Sequence, residues 1–172
     1  MPKKDIILLH GWATRGSVWN KTKNYLADRF QIWTPDLSLP DSSMSYKELI
    51  IDYMDKEGIK EATIIGWSLG SLVAIELAST VPQRIRALAL VNGTSKFSTD
   101  ETKNWGIPPV IVKRMKKRLK VEPEKTIVDF FQLMFSSEEI RKSLDTQVIN
   151  DHLRKDKPWE IGEGLIGLDY LL

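Results

Sequence analysis

The chain has 172 residues, with 25 Lys and Arg against 23 Asp and Glu and 42% hydrophobic residues. That is the length of one domain, with enough chain to bury a core, and it excludes disordered, collagen-like and disulfide-scaffold classes. Cys is absent, which excludes a thiol nucleophile, a disulfide and a thiolate metal site. The two histidines are His10 and His152. A net charge of +2 gives no global attraction to nucleic acid. The charge is uneven: residues 96–126 carry 9 basic against 4 acidic side chains, and residues 127–172 carry 5 against 9. No apolar run approaches the ~20 residues of a membrane span. Met1-Pro2-Lys3-Lys4-Asp5 leads directly into an apolar run and does not read as a signal peptide. A cytoplasmic location is expected.

Residues 1–95 alternate strand and helix signals. Ile6-Ile7-Leu8-Leu9 is a continuous apolar run, as in a strand buried on both faces. Ser17 is expected to cap a helix over 17–28, with Val18, Trp19, Tyr25 and Leu26 as its apolar side. Residues 30–34 read as a strand stopped by Pro35. Ser45 and Glu48 form a capping box for a helix over 45–57, ended by Gly58. Strands over 62–67 and 86–91 flank a helix over 69–80. Such alternation predicts a parallel sheet with helices on both faces. Residues 96–172 show no convincing strand. Helices are expected over 107–120, 124–135 and 138–154, with breaks near Glu122-Pro123, Ser136-Ser137 and Pro158. The expected division is an α/β core over 1–95 and a helical lid over 96–172.

Gly66-Trp67-Ser68-Leu69-Gly70 lies between a buried strand and a helix, the context of a nucleophile elbow. A serine in so tight a turn has strained backbone angles, and the glycines two residues away let the chains pass. The following helix turns its positive end toward Ser68. His10-Gly11-Trp12 directly follows the first strand.

These stretches resemble the α/β-hydrolase family. Pro82-x-Arg84-Ile85-x-Ala87-Leu88, Phe97-Ser98, Trp105-x-Ile107 and Gly167-Leu168-Asp169-Tyr170-Leu171 narrow the resemblance to the carrier-protein methyl ester esterases of biotin synthesis. The resemblance covers nearly the whole chain. It implies Ser68 as nucleophile and the backbone N–H groups of Trp12 and Leu69 as oxyanion hole, with His10 shaping the loop rather than moving protons. Trp12, Ser68 and Leu69 would contact the substrate, with Phe130, Phe131, Gln132, Leu133 and Met134 lining an acyl pocket. That apolar lid stretch reads equally as simple packing. Two departures stand out. Asp36-Leu37-Ser38-Leu39-Pro40-Asp41 replaces the usual Asp-x-Pro-Gly-x-Gly loop, and Ser71 stands where a second glycine is common.

In the resembled family the acid and base of the triad follow the lid. No such segment is found before Leu172, and His152 reads as a solvated lid histidine. The expectation is therefore an N-terminal, C-terminally truncated part of a longer hydrolase, with its fourth strand an open edge.

Lys113-Arg114-Met115-Lys116-Lys117-Arg118-Leu119-Lys120 holds six basic residues in eight, with Ile111, Met115 and Leu119 on one face. Two readings are open: a solvated helix face, or a docking patch for an acidic partner. The resemblance implies an acyl carrier protein as that partner, with Lys113, Arg114, Lys116, Lys117, Arg118 and Lys125 as contacts. Asp129 sits where another base would help. No aromatic pattern interleaves with the charges, so nucleic acid is not expected.

The function expected is a serine carboxylesterase hydrolysing an ester, with no cofactor and no metal. The alternatives are a short-acyl esterase, thioesterase or lyase on the same scaffold, or a truncated protein that only binds an acyl ligand.

Overall fold

The computed structural model describes residues 2–39, 43–100, 105–143 and 160–172. His152, Pro158, Trp159, Pro40 and Asp41 lie outside the described residues, as does the expected helix beyond residue 143. The chain divides into two compact units, Met1–Phe97 and Ser98–Leu172.

The first unit is built on a parallel sheet. Its strands are β1 (Lys4–Leu9), β2 (Phe30–Trp33), β3 (Ala62–Trp67) and β4 (Ile85–Val91), in the order β2-β1-β3-β4. Its helices are α1 (Asn20–Leu26), α2 (Tyr46–Lys56) and α3 (Leu69–Thr80). The apolar run of β1 is buried along its length, because both its faces are covered. On one face Ile6, Leu8 and Ile32 form a cluster with Trp19, Leu26, Phe30 and Ile65. On the other, Ile7 pairs with Ile64 and Leu9 with Gly66, beneath α3. Val73, Ala74 and Leu77 of α3 and Ile50 and Met54 of α2 are also buried. α2 starts with the expected capping box: Ser45 Oγ accepts from Glu48 N–H, and the Glu48 carboxylate accepts from Ser45 N–H at 2.7 Å.

β4 differs from its neighbours. Among the described residues it pairs with β3 alone, and Leu88, Leu90 and Val91 are exposed. The first helix also departs from expectation. Ser17 lies inside a 3-10 turn (Gly16–Trp19) and caps nothing, α1 begins only at Asn20, and Tyr25 is 80% exposed. Trp19 of the 3-10 turn and Leu26 of α1 pack against the sheet cluster.

The second unit holds α4 (Pro109–Val121), α5 (Pro123–Gln132), α6 (Ser137–Arg141) and α7 (Ile161–Tyr170). α4 packs on α5 and α7. Pro123 opens α5 one residue after the Glu122 cap, where its missing N–H costs nothing. The buried side of α4 is Val112 and Leu119, while Ile111 is 48% exposed, so the expected stripe through Ile111 is turned aside by the packing. Two distant segments of the unit are tied by Ser98, buried, whose Oγ donates to Leu171 O at 2.6 Å. No helix among the described residues is long and apolar enough to cross a membrane.

Candidate active site

The site is built at the ends of β1 and β3. Ser68 stands between β3 and α3 with φ 53° and ψ −115°, a left-handed conformation that costs a non-glycine residue about 1–3 kcal/mol. Its neighbours hold it there. A Cβ at Gly66 would fall 2.3 Å from Gly70 O, and one at Gly70 would fall 2.4 Å from Leu9 O and 2.8 Å from His10 O. Both positions therefore admit only glycine, because the chain crosses itself at backbone contact. Ser68 N–H donates to Val91 O at 3.0 Å, which anchors the turn to β4.

Trp12 and Leu69 are both buried, at 4% and 2% exposure. Leu69 is the first residue of α3, so its N–H has no carbonyl within the helix to meet. Gly11, one residue before Trp12, lies against the elbow: a Cβ there would sit 3.2 Å from the Trp67 ring and 3.4 Å from Ser68 Cβ. The His10-Gly11-Trp12 loop and the Ser68 turn are thus brought together.

His10 is buried and its ring is committed on both sides. Leu37 N–H donates to Nε2 at 2.7 Å, which leaves the ring proton on Nδ1 to donate to Gly11 O at 2.9 Å. Thr14 Oγ also donates to Gly11 O, at 2.9 Å. One turn on, Asp36 Oδ1 accepts from Gly16 N–H at 2.7 Å. A Cβ at Gly16 would strike Thr34 O at 2.2 Å, so this glycine too is required by close approach. The loop after β2 is thereby stapled to the loop after β1 by two bonds. These partners were missed in the sequence. The signals were a histidine directly after β1 and an Asp in the loop after β2.

A family model described as alpha/beta hydrolase fold matches residues 5–107. The chain belongs to that family. It is 34% identical over 134 residues to a pimeloyl-[acyl-carrier protein] methyl ester esterase of Aliivibrio fischeri, covering 75% of this chain and 51% of that one. A protein of the same name from Nitrosospira multiformis is 31% identical over 145 residues, covering 77% and 54%. The chain therefore spans about half the length of these curated relatives. Among solved structures, an esterase from Exiguobacterium antarcticum superposes with a TM-score of 0.82 at 14% identity, covering 99% of this chain and 66% of that one. An enol-lactonase from Burkholderia xenovorans gives 0.79 at 17%, covering 99% and 65%. The parallel sheet with flanking helices is the fold that these structures share.

The candidate residues of the second unit fall in unlike surroundings. Phe131 is wholly buried and packs on Phe130 with ring centroids 5.9 Å apart. Leu133 is 86% exposed, Met134 is exposed, and Gln132 ends α5 on the surface. The structure does not bring these five onto one face. Of the basic residues, Lys116 is bound to Asp169, and Arg118 donates to Asp129 at 2.5 Å. Asp129, which looked like a defect in a docking patch, is the partner of Arg118. Lys125 approaches Glu122 at 4.0 Å. Lys113, Arg114 and Lys117 are exposed, and no ion pair engages them among the described residues. Lys113, Lys117 and Lys120 share one exposed stripe by their i, i+4, i+7 spacing. No group of His, Asp and Glu among the described residues is arranged to hold a metal ion.

Proposed function

We propose that Ser68 is the nucleophile of a carboxylesterase whose substrate is the methyl ester of an acyl chain held on an acyl carrier protein. The observation that carries this reading is the left-handed Ser68 backbone, locked between Gly66 and Gly70 at the start of α3. Ser68 Oγ forms a bond to the ester carbonyl carbon, and negative charge moves onto the carbonyl oxygen. The backbone N–H groups of Trp12 and Leu69 receive that oxyanion, each worth about 10²–10³ in rate. The positive end of α3 favours the same charge. Collapse breaks the carbon–methoxy bond, and methanol leaves with the serine proton. Water then adds to the acyl carbon, releases the acid and returns Ser68. Among the described residues the one histidine, His10, is committed to Leu37 and Gly11, so the proton transfer is not assigned to it.

The substrate class is supported by the name of the curated relatives. The carrier is supported by the exposed basic stripe on α4, which no ion pair engages among the described residues, since an acidic protein would be steered to Lys113, Arg114, Lys117 and Lys120. The test is methanol release from a carrier-bound acyl methyl ester. Ser68→Ala should abolish it, and equal release by that variant would overturn the reading. Reversal of Lys113, Lys117 and Lys120 to Glu should lower the rate on the carrier-bound ester relative to a free methyl ester. An unchanged ratio would remove the carrier from the proposal.

A further inference from the structure

Ser71 is wholly buried in the first turn of α3, three residues beyond Ser68. Its hydroxyl does not serve the helix. It donates backward across the turn to Gly66 O at 2.7 Å, with a longer approach of 3.4 Å to Val91 O. Those two carbonyls bracket the elbow: Gly66 opens the Gly-x-Ser-x-Gly turn, and Val91 O already accepts the Ser68 N–H. Ser71 N–H in turn donates to Ser68 O at 2.9 Å. Ser71 thus reaches Gly66 near the end of β3 and Val91 at the end of β4 through its hydroxyl, and the strained serine itself through its backbone N–H.

The neighbour opposite is shaped to this side chain. A Cβ at Gly93 would lie 2.5 Å from Ser71 Cβ and 2.6 Å from Ser71 Oγ. Gly93 has no left-handed φ, so its backbone does not demand glycine. What demands glycine there is the Ser71 side chain.

We infer that Ser71 is a positioning residue for Ser68, its hydroxyl bracing the elbow's two flanking carbonyls in space that Gly93 leaves open. The inference rests on the reading of Ser68 as nucleophile. A buried hydroxyl that joins two strand ends to a helix fixes the height and angle of the serine. Small misplacements of a nucleophile are expensive in rate, up to about 100-fold for an ångström. The pairing also predicts interchange. A serine at 93 would put its Cβ beside the present Ser71 Oγ, so a hydroxyl could be supplied from β4's side if residue 71 gave up its own.

The experiment follows labelling of the 172-residue chain by a fluorophosphonate probe, separating probe affinity from the limiting rate of bond formation, with the melting temperature measured alongside. Ser71→Ala should lower the limiting rate by about tenfold or more and leave probe affinity unchanged. It should also speed amide exchange at Ser68, whose N–H donates to Val91 O. Gly93→Ser alone should be destabilised by collision with Ser71. Gly93→Ser in a Ser71→Gly background should recover both folding and the limiting rate, relative to Ser71→Gly alone. If wild type is labelled and Ser71→Ala keeps its limiting rate and its Ser68 exchange, the positioning role is wrong while the nucleophile stands. If wild type takes no label at Ser68, the nucleophile reading fails, and the positioning role fails with it.

Discussion

Between Leu9 and Ser71 the candidate site is made of backbone atoms; along α4 the candidate docking surface is made of side-chain ends. At the elbow each position is fixed by contacts of 2.3–2.8 Å that any added carbon would meet. On α4 the cations stand in solvent, and two of them are already neutralised by Asp169 and Asp129. The contrast teaches where a sequence motif constrains and where it only suggests. Glycine spacing constrained the first region because backbone approach has no slack. Charge spacing described the second without saying which cations were spent internally.

The sharpest way to break the contrast is Gly70→Ala. Its Cβ would enter the carbonyls of Leu9 and His10, so a loss of about 3 kcal/mol is expected, at the upper end for overpacking. Urea denaturation followed by tryptophan fluorescence measures it. Gly162→Ala in α7, where a Cβ would meet nothing within 4 Å, should instead stabilise by about 0.5–1 kcal/mol. Next comes His10→Ala. It orphans the buried Leu37 N–H, and a loss of about 1–3 kcal/mol is expected by the same assay.

A smaller effect belongs to the α2 cap. Ser45→Ala should cost about 1 kcal/mol at neutral pH. Hydrogen bonds from the Ser45 backbone N–H and then its hydroxyl hold the Glu48 carboxyl below its ordinary range. A lowered folded-state pKa means the stabilisation is present above the unfolded value and is lost as pH falls through the folded one. The penalty of Ser45→Ala should therefore shrink on acidification below about pH 4. The backbone N–H bond to Glu48 survives this substitution, so a penalty unchanged with pH would show that the Ser45 hydroxyl bond to the Glu48 carboxylate contributes nothing. Smallest of all, Lys117→Ala should change stability by less than about 0.5 kcal/mol, because nothing among the described residues engages that side chain. A larger change would mean that α4 uses its stripe for folding rather than for a partner.

Much of the first unit was legible. A continuous apolar run marked β1, and Ser45 with Glu48 marked the start of α2, because these are local signals with local causes. The Ser68 turn was legible for the same reason: strand, glycines and helix adjoin in sequence. What the sequence hid was long-range. Nothing in His10 announces Leu37, 27 residues away, and nothing in Ser71 announces Gly93. Ser17 misled because a capping residue was present but the chain there chose a 3-10 turn. Ile111 misled because Ile111 and Val112 are adjacent apolar residues that both lie near Leu119 on the helix, and the burial falls on Val112.

The proposal that Ser68 is a nucleophile held ready by its backbone is open to a direct test: the chain is treated with a fluorophosphonate probe and the adduct located by peptide mass spectrometry. One adduct is expected, on the peptide containing Ser68, and it should disappear in Ser68→Ala. An unlabelled chain, or an adduct that survives in Ser68→Ala, would contradict it.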